Sequence, residues 1–152
     1  MVRRELPGGF ELDDDRARLD VDAIHSYISE ESYWGRGRTR ERVLGTIEGS
    51  QRVLGLYLDG RQVGFARAIT DGVTMAYLAD VYVLPVHRGR GLGVELVREI
   101  VAGEGAPQVH WMLHTADAEG LYERLGFQRG PLRYPLMERA RDQQAPAPTE
   151  HQ

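Results

Sequence analysis

Residues 77–100 read YLADVYVLPVHRGRGLGVELVREI, and the interpretation of the whole chain starts from them. The first part is rich in valine, tyrosine and leucine, which favours a strand, and Pro85 ends that strand because proline cannot donate a ladder hydrogen bond. Beyond the glycines, Leu92, Leu96 and Ile100 recur at the spacing of one helix face. The segment therefore predicts a strand, a glycine-rich turn and a helix.

The turn suits an anionic ligand. Gly89, Gly91 and Gly93 alternate with larger residues, so the backbone can take positive φ and approach a ligand closely. The first turn of the following helix has unpaired N–H groups and the positive end of the helix dipole, where phosphates bind readily. Arg88 and Arg90 flank the glycines and add charge-assisted hydrogen bonds. The sequence therefore predicts a phosphate or pyrophosphate site.

Two other nucleotide-binding folds fit less well. A P-loop needs Gly-Lys-Ser/Thr at its end, and the chain contains no lysine. A dinucleotide-binding fold needs an acidic residue about 20 positions further on, at the end of the next strand. That strand, predicted at residues 109–113, is followed by His114 and Thr115. Both alternatives are weakened.

These residues carry a family resemblance. Residues 81–85 followed by 88–93 resemble the acetyl-CoA signature of the GCN5-related N-acetyltransferases (GNAT), which is Arg or Gln, two residues, Gly, one residue, then Gly or Ala. Residues 118–127, AEGLYERLGF, are similar to the downstream motif of the same family, a helix that carries a tyrosine and ends in Leu-Gly-Phe. With the strands predicted upstream, the resemblance extends over roughly residues 10–137.

The resemblance implies an α/β (α+β) fold. Its central sheet is mixed and mostly antiparallel, with one splayed parallel strand pair and about four flanking helices. Independently, Asp59-Gly60 between residues 52–58 and 61–70 predicts a tight hairpin, and Asp71-Gly72 repeats the turn before the strand of residues 77–84. A doubly wound nucleotide-binding fold would not begin with such an antiparallel meander.

The other elements are predicted from hydrophobic spacing and capping residues. They are a short strand at 8–12, a solvated turn at Asp13-Asp14-Asp15, helices capped by Asp20 or Asp22 and by Thr39, a strand at 109–113, a last helix capped by Thr115 or Asp117, and a strand from Phe127 with residues 134–137 as its partner.

Composition limits the class of protein. At 152 residues we expect a single domain over residues 1–141 and a disordered tail over 142–152, which is rich in Gln, Ala and Pro. The formal charge of −4 argues against a nucleic-acid or membrane-surface binder. There is no cysteine, which excludes disulfides, thiolate metal sites and a cysteine acyl-enzyme. No apolar run suits a signal peptide or a membrane span, so we expect a cytoplasmic protein.

The resemblance implies transfer of the acetyl group of acetyl-CoA directly to a primary amine of a small molecule or peptide, without an acyl-enzyme and without a metal. In that family the pantetheine arm pairs with the backbone of the splayed strand, and a backbone N–H near Val83 polarises the thioester carbonyl as an oxyanion hole does. The implied coenzyme-binding residues are Val81, Tyr82 and Val83 for pantetheine and Arg88, Gly89, Arg90, Gly91, Leu92 and Gly93 for the diphosphate.

By resemblance, Tyr122 is the acid that protonates the leaving thiolate, and it therefore also contacts the coenzyme. A phenol has a pKa of about 10 and a thiol one of about 8.5, so tyrosine is protonated at neutral pH. The alternative is a core tyrosine, because Tyr122 shares a helix face with Leu121 and Leu125. The family often carries Asn where this chain has Thr115, so no coenzyme contact is assigned to Thr115.

A base is needed because an alkyl ammonium, with a pKa of about 10, is protonated at pH 7. Asp80 is the first candidate, since it lies in the strand just before the pantetheine-binding residues. Its alternative role is a strand carboxylate paired with an arginine such as Arg67. His114 and His110, near the end of the parallel strand, are the second candidates.

The acceptor side is predicted at residues 32–38, an aromatic and basic segment with glycines. Tyr33 and Trp34 there are interpreted as substrate-binding residues of a lid, or alternatively as residues that cap the core. A non-catalytic acyl-CoA-binding or regulatory module is the second functional hypothesis. A DNA-binding role for the arginines of residues 36–42 is disfavoured by the overall acidity. A homodimer is compatible with such folds.

Overall fold

A computed structural model describes residues 1–141 of the chain; the tail predicted to be disordered, residues 142–152, lies outside the described residues. Within residues 1–141 there are six strands, four α-helices and two short 3-10 helices. The strands are β1 Arg3–Leu6, β2 Phe10–Asp13, β3 Arg52–Leu58, β4 Arg61–Thr70, β5 Met75–Val83 and β6 His110–Met112. The helices are α1 Val21–Glu30, α2 Arg40–Glu48, α3 Leu92–Ala102 and α4 Glu119–Glu123, with 3-10 turns at Arg16–Arg18 and Pro85–His87.

The strands form one sheet in the order β1-β2-β3-β4-β5-β6. The first five are antiparallel to their neighbours, whereas β6 is parallel to β5 because α3 carries the chain across one face between them. Helices α3 and α4 pack on one face of the sheet and α1 and α2 on the other, each over its own apolar cluster. This architecture confirms the predicted fold class.

Several element boundaries follow from turn and capping residues. Asp59 and Gly60 both have positive φ, at 50° and 77°, and form the tight turn between β3 and β4. The Asp20 side chain accepts the N–H of Ala23 and caps α1, and the Thr39 hydroxyl accepts an N–H in the first turn of α2. None of the helices of residues 1–141 has the length and apolarity needed to cross a membrane.

The N-terminus differs from the prediction. The sequence indicated one short strand at residues 8–12, but β1 and β2 form a hairpin around Pro7-Gly8-Gly9, where both glycines have positive φ. The solvated turn predicted for the acidic run is also wrong. Asp13 is buried, accepts the N–H of Asp15, and pairs with Arg18, which the following 3-10 turn directs back onto it.

The C-terminus also differs. No strand forms in residues 127–141, so the strand predicted from Phe127 and its partner at 134–137 are wrong. Tyr134 and Met137 are 72% and 92% exposed. This segment therefore buries no apolar face that would stabilise a strand against the sheet. The prolines of this segment, Pro131 and Pro135, cannot donate ladder hydrogen bonds.

Candidate active site

The parallel pair β5–β6 opens midway along β5. The two strands pair only from Met75 opposite His110 to Tyr77 opposite Met112, although β5 continues to Val83. At Asp80 the backbone has φ of +52° and the register with β4 shifts, which is a β-bulge that turns β5 away. Beyond Tyr77, β5 therefore has no strand on its β6 side among the described residues. The predicted splay is present.

Backbone groups of β5 point into this opening. The Leu84 N–H donates to the Val63 carbonyl of β4 at 2.9 Å, and the Tyr82 carbonyl lies against Gly64 of β4. Hydrogen bonds of an antiparallel ladder alternate between sides, and a trans peptide places its N–H and C=O on opposite sides. The Val83 N–H and the Val81 C=O therefore point away from β4, into the opening, as the pantetheine prediction requires.

Tyr82, the third residue predicted to bind pantetheine, lies differently. It is opposite Phe65 in the ladder, so its backbone groups serve β4. Its ring is 5% exposed and stacks on Tyr27 of α1 with centroids 4.0 Å apart and planes at 15°. Tyr82 therefore joins β5 to α1. Its backbone N–H and C=O are used by β4, so they are not available to a coenzyme.

The glycine loop presents open backbone. Gly89 and Gly91 have φ of +81° and +76°, and a Cβ added at either would meet no heavy atom within 4 Å. Gly91 is the N-cap residue of α3 and supplies no side-chain cap, so the first amides of the helix keep their hydrogen-bonding capacity. Leu92 is 5% exposed and anchors that first turn in the core.

The other loop residues have different environments. A Cβ on Gly93 would lie 2.9 Å from Leu121 Cδ1, so this glycine permits close packing of α4 on α3. The Arg88 guanidinium turns inward and donates to the Val83 carbonyl at 2.9 Å and to the Tyr27 hydroxyl at 2.8 Å. Arg90 is exposed at the rim of the loop. Arg88 is exposed as well, and its Nη1 takes part in neither bond, so both arginines keep donors for an anion.

The position of Tyr122 is compatible with both predicted roles, the acid at the leaving thiolate and a core tyrosine. It is 9% exposed in α4 and contacts Phe127 edge to face, as a core tyrosine would. Burial, with smaller contributions from Tyr33 and Asp117, raises the pKa of Tyr122 to about 12. No residue among 1–141 hydrogen-bonds its hydroxyl group. A neutral phenol with unused hydrogen-bonding capacity thus lies in the helix next to the opening.

Asp80 is tightly held. Its Oδ2 accepts from Arg67 Nε at 2.7 Å and from Arg38 Nη1 at 2.8 Å, and its Oδ1 accepts from Trp34 Nε1 at 2.8 Å. The pairing with Arg67 that the sequence offered as the alternative role is therefore present. Both carboxylate oxygens are thus occupied by side chains of this chain, and the role of Asp80 as the base stays a prediction.

The segment of residues 31–39 bridges the two sides of the opening. Trp34 reaches the bulge of β5 through Asp80, while the Tyr33 hydroxyl accepts the N–H of Ala116 at 2.7 Å, in the loop before α4. Tyr33 and Trp34 are 49% and 38% exposed, so part of each ring is accessible to a ligand although both side chains make hydrogen bonds. The residues predicted to bind the acceptor thus lie beside the opening.

The same segment is firmly attached to α1. A Cβ on Gly35 would collide with Ile28, and the Gly35 N–H donates to the Ser32 hydroxyl. The Gly37 N–H donates to the Ser29 carbonyl. The segment is therefore a packed wall rather than a hinged flap.

One polar cluster was not anticipated as a unit. The Tyr77 hydroxyl is within hydrogen-bond distance of His114 Nδ1, and His114 Nε2 is 3.1 Å from Glu138 Oε1. The sequence indicated only His114, because nothing local to residue 138 places it beside residue 77. His110, the other candidate base, lies opposite Met75 at the far end of the pairing.

Comparison with known proteins identifies the family. The family model described as "Acetyltransferase (GNAT) domain" matches residues 49–129. The crystal structure of a candidate GNAT acetyltransferase from Xanthomonas campestris pv. campestris has a TM-score of 0.77 and 39% identity, covering 86% of this chain and 92% of that one. A structure from Deinococcus radiodurans R1, at TM-score 0.68 and 20% identity, shares the fold. The chain belongs to the GNAT acetyltransferase family, as the sequence predicted.

Two curated relatives extend the comparison. A candidate acetyltransferase of Gibberella zeae is 34% identical over 117 residues, which are 63% of this chain and 66% of the relative. Serotonin N-acetyltransferase 2, chloroplastic, of Oryza sativa subsp. japonica is 32% identical over 133 residues, which are 81% of this chain and 64% of the relative. The chain thus spans just under two thirds of the length of each.

Proposed function

We propose that the protein is an N-acetyltransferase that moves the acetyl group of acetyl-CoA directly onto a primary amine of a small molecule or peptide. The observation that carries the proposal is the opening between β5 and β6. There the Val83 N–H and the Val81 C=O point away from β4, on the side that β6 leaves unpaired, near the N-terminus of α3, which has no side-chain cap. A cytoplasmic location and a homodimer stay predictions.

The residues present fit acetyl-CoA. Its pantetheine arm has amide groups that pair with a single strand, and the Val81 C=O offers an acceptor for such pairing, which leaves the Val83 N–H for the thioester carbonyl. Its diphosphate needs N–H donors, which the open backbone at Gly89 and Gly91 and the α3 N-terminus provide. Arg90 adds a positive charge at the rim. Arg88 supports the site indirectly, by holding the end of β5 to α1.

The chemistry follows from this placement. The amine nitrogen attacks the thioester carbon, a C–N bond forms, and the C–S bond breaks as the tetrahedral intermediate collapses. The Val83 N–H stabilises the oxyanion. The chain has no cysteine, so a cysteine acyl-enzyme cannot intervene.

Tyr122 acts on the leaving thiolate. Because its pKa is raised to about 12 and that of a thiol is about 8.5, complete proton transfer from phenol to thiolate is uphill. Its main contribution is therefore a hydrogen bond to the sulfur as negative charge develops, and solvent completes the protonation of the thiol. Burial makes this bond stronger than it would be in water.

The acceptor side is formed by Tyr33 and Trp34. Their exposed aromatic surfaces, at the edge of the opening, suit the apolar part of an amine. The relative named serotonin N-acetyltransferase supports an amine as the acceptor class.

A non-catalytic acyl-CoA-binding module is the second candidate, and the pairing of Asp80 with Arg67 and Arg38 favours it, because the first predicted base is occupied. Thiol release from acetyl-CoA, measured across a panel of primary amines, separates the two. We expect release that depends on the amine. Tight binding of acetyl-CoA with no release on any amine would instead support the module.

A further inference from the structure

Three ionisable side chains from distant parts of the chain meet beside the opening. Tyr77 comes from β5, His114 from the residues just after β6, and Glu138 from the C-terminal segment. The imidazole contacts the phenol through Nδ1 and the carboxylate through Nε2. If Nε2 carries the ring proton toward Glu138, then Nδ1 is the free acceptor, and the Tyr77 hydroxyl donates to it.

The cluster lies on the acceptor side of the sheet. Side chains two residues apart in a strand point to the same face, so Tyr77 and Ala79 share a face of β5. Ala79 lies opposite Arg67 of β4, and residues opposite each other also share a face, so Tyr77 and Arg67 lie on the same side of the sheet. Arg67 binds Asp80, which binds Trp34 of the proposed acceptor wall. Tyr77 is also the last residue of β5 to pair with β6. An amine entering the opening from this face would pass its hydroxyl.

We propose that Tyr77, His114 and Glu138 form the proton relay that deprotonates the acceptor ammonium, an inference that rests on the acetyl transfer proposed above. The ammonium N–H bond breaks and its proton moves to the Tyr77 oxygen through water in the opening, since Tyr77 lies six residues along β5 from Val83. The Tyr77 proton moves at the same time to His114 Nδ1. The resulting imidazolium is paired with the Glu138 carboxylate and returns its proton to solvent.

The environment of the cluster fits this role better than that of Asp80. Burial, and the carboxylate of Glu138 nearby, raise the pKa of Tyr77, so its phenol transmits a proton without remaining ionised. The other charged groups acting on Tyr77 are Arg67, which opposes that rise, and Asp80, which adds to it. His114 is 58% exposed, which gives the accepted proton a path to solvent.

The test compares two acceptors of similar shape: a primary alkylamine accepted in the panel above, and its O-alkylhydroxylamine analogue, whose much less basic nitrogen is unprotonated at neutral pH. His114→Gln and Tyr77→Phe should lower kcat/KM for the alkylamine by about 100-fold at pH 7, since a general base contributes about 10²–10⁴-fold. The O-alkylhydroxylamine should lose less than about threefold, because it has no proton to remove before attack. The loss for the alkylamine should shrink as pH rises.

Controls separate the relay from a structural effect. Glu138→Gln should give a smaller loss in the same direction, and Tyr134→Phe, at a ring that is 72% exposed, should change the rate with neither acceptor. Equal losses for both acceptors, or no loss for either, would overturn the relay while leaving the acetyl transfer intact. If the wild-type protein binds acetyl-CoA but transfers to no amine or O-alkylhydroxylamine, the proposed function is overturned and the relay with it.

Discussion

Arg67 Nε lies 2.7 Å from Asp80 Oδ2, and the two side chains are only 10% and 2% exposed. This buried pair sits at the bulge where β5 leaves β6. Arg38 and Trp34 bind the same carboxylate, so one aspartate connects the central sheet to the wall beside the opening. The splay of the sheet and the position of that wall thus depend on the same interaction.

Removing this carboxylate should destabilise the fold. Asp80→Ala leaves buried guanidinium charge unpaired, which typically costs about 3–5 kcal/mol, and urea unfolding measures the loss. The Asp80→Ala/Arg67→Met double variant should be more stable than the single variant. Asp22→Ala, which breaks an exposed pair with Arg40, is the control and should leave the free energy of unfolding nearly unchanged. An equally mild effect of Asp80→Ala would contradict the structural role.

Much of the fold follows from local sequence. Asp59-Gly60, Asp20 and Thr39 set turns and caps through their own backbone neighbours, so they could be recognised without tertiary information. The opening was expected through the family resemblance, which the glycines and the strand-ending proline help to carry. The positive φ of Asp80 could not be predicted from sequence, since aspartate tolerates that conformation without requiring it.

The features that could not be predicted from sequence depend on contacts between residues far apart in the chain. The bonds of Arg88 to the Val83 carbonyl and the Tyr27 hydroxyl were not predicted, while its role in binding an anion stays a prediction. Glu138 meets His114 only because the C-terminal segment folds back across the sheet edge. The predicted C-terminal strands failed for the same reason, since their spacing was suitable but nothing in the sequence shows whether an apolar face is covered.

Gly91 should be essential for binding the donor. Gly91→Ala forces a Cβ into the left-handed region at φ of +76°, which costs about 1–2 kcal/mol and turns the amides of the loop. We expect the Kd for acetyl-CoA to rise about tenfold or more, measured by calorimetry. Gly45→Ala, in α2, meets nothing within 4 Å and should stabilise the fold by about 0.5–1 kcal/mol without changing Kd. Equal Kd values for both variants would contradict the assignment of the loop.

Tyr122→Phe should lower kcat by about 10- to 100-fold while the Kd for acetyl-CoA stays the same, because the hydroxyl acts on charge that develops only as the C–S bond breaks. Steady-state kinetics together with calorimetry make this comparison. Tyr134→Phe is the matched control, since that ring is 72% exposed and far less constrained. An unchanged kcat in Tyr122→Phe would remove Tyr122 from the reaction.

The pH dependence of kcat provides a separate check on Tyr122. A phenol loses its proton as pH rises through its pKa, and burial raises that pKa to about 12. With an acceptor that is already unprotonated, kcat should therefore stay level between about pH 8 and pH 10, where an ordinary tyrosine begins to ionise. A decline centred near pH 10 that disappears in Tyr122→Phe would show that the hydroxyl is not shielded as the structure indicates.

The most direct test of the donor site is an amide NMR titration of the wild-type protein with acetyl-CoA. If the opening between β5 and β6 and the α3 N-terminus bind the coenzyme, the largest shifts should fall on the N–H groups of Val83, Gly89, Gly91 and the first turn of α3. Shifts confined to other surfaces, or an unchanged spectrum at saturating acetyl-CoA, would contradict the account.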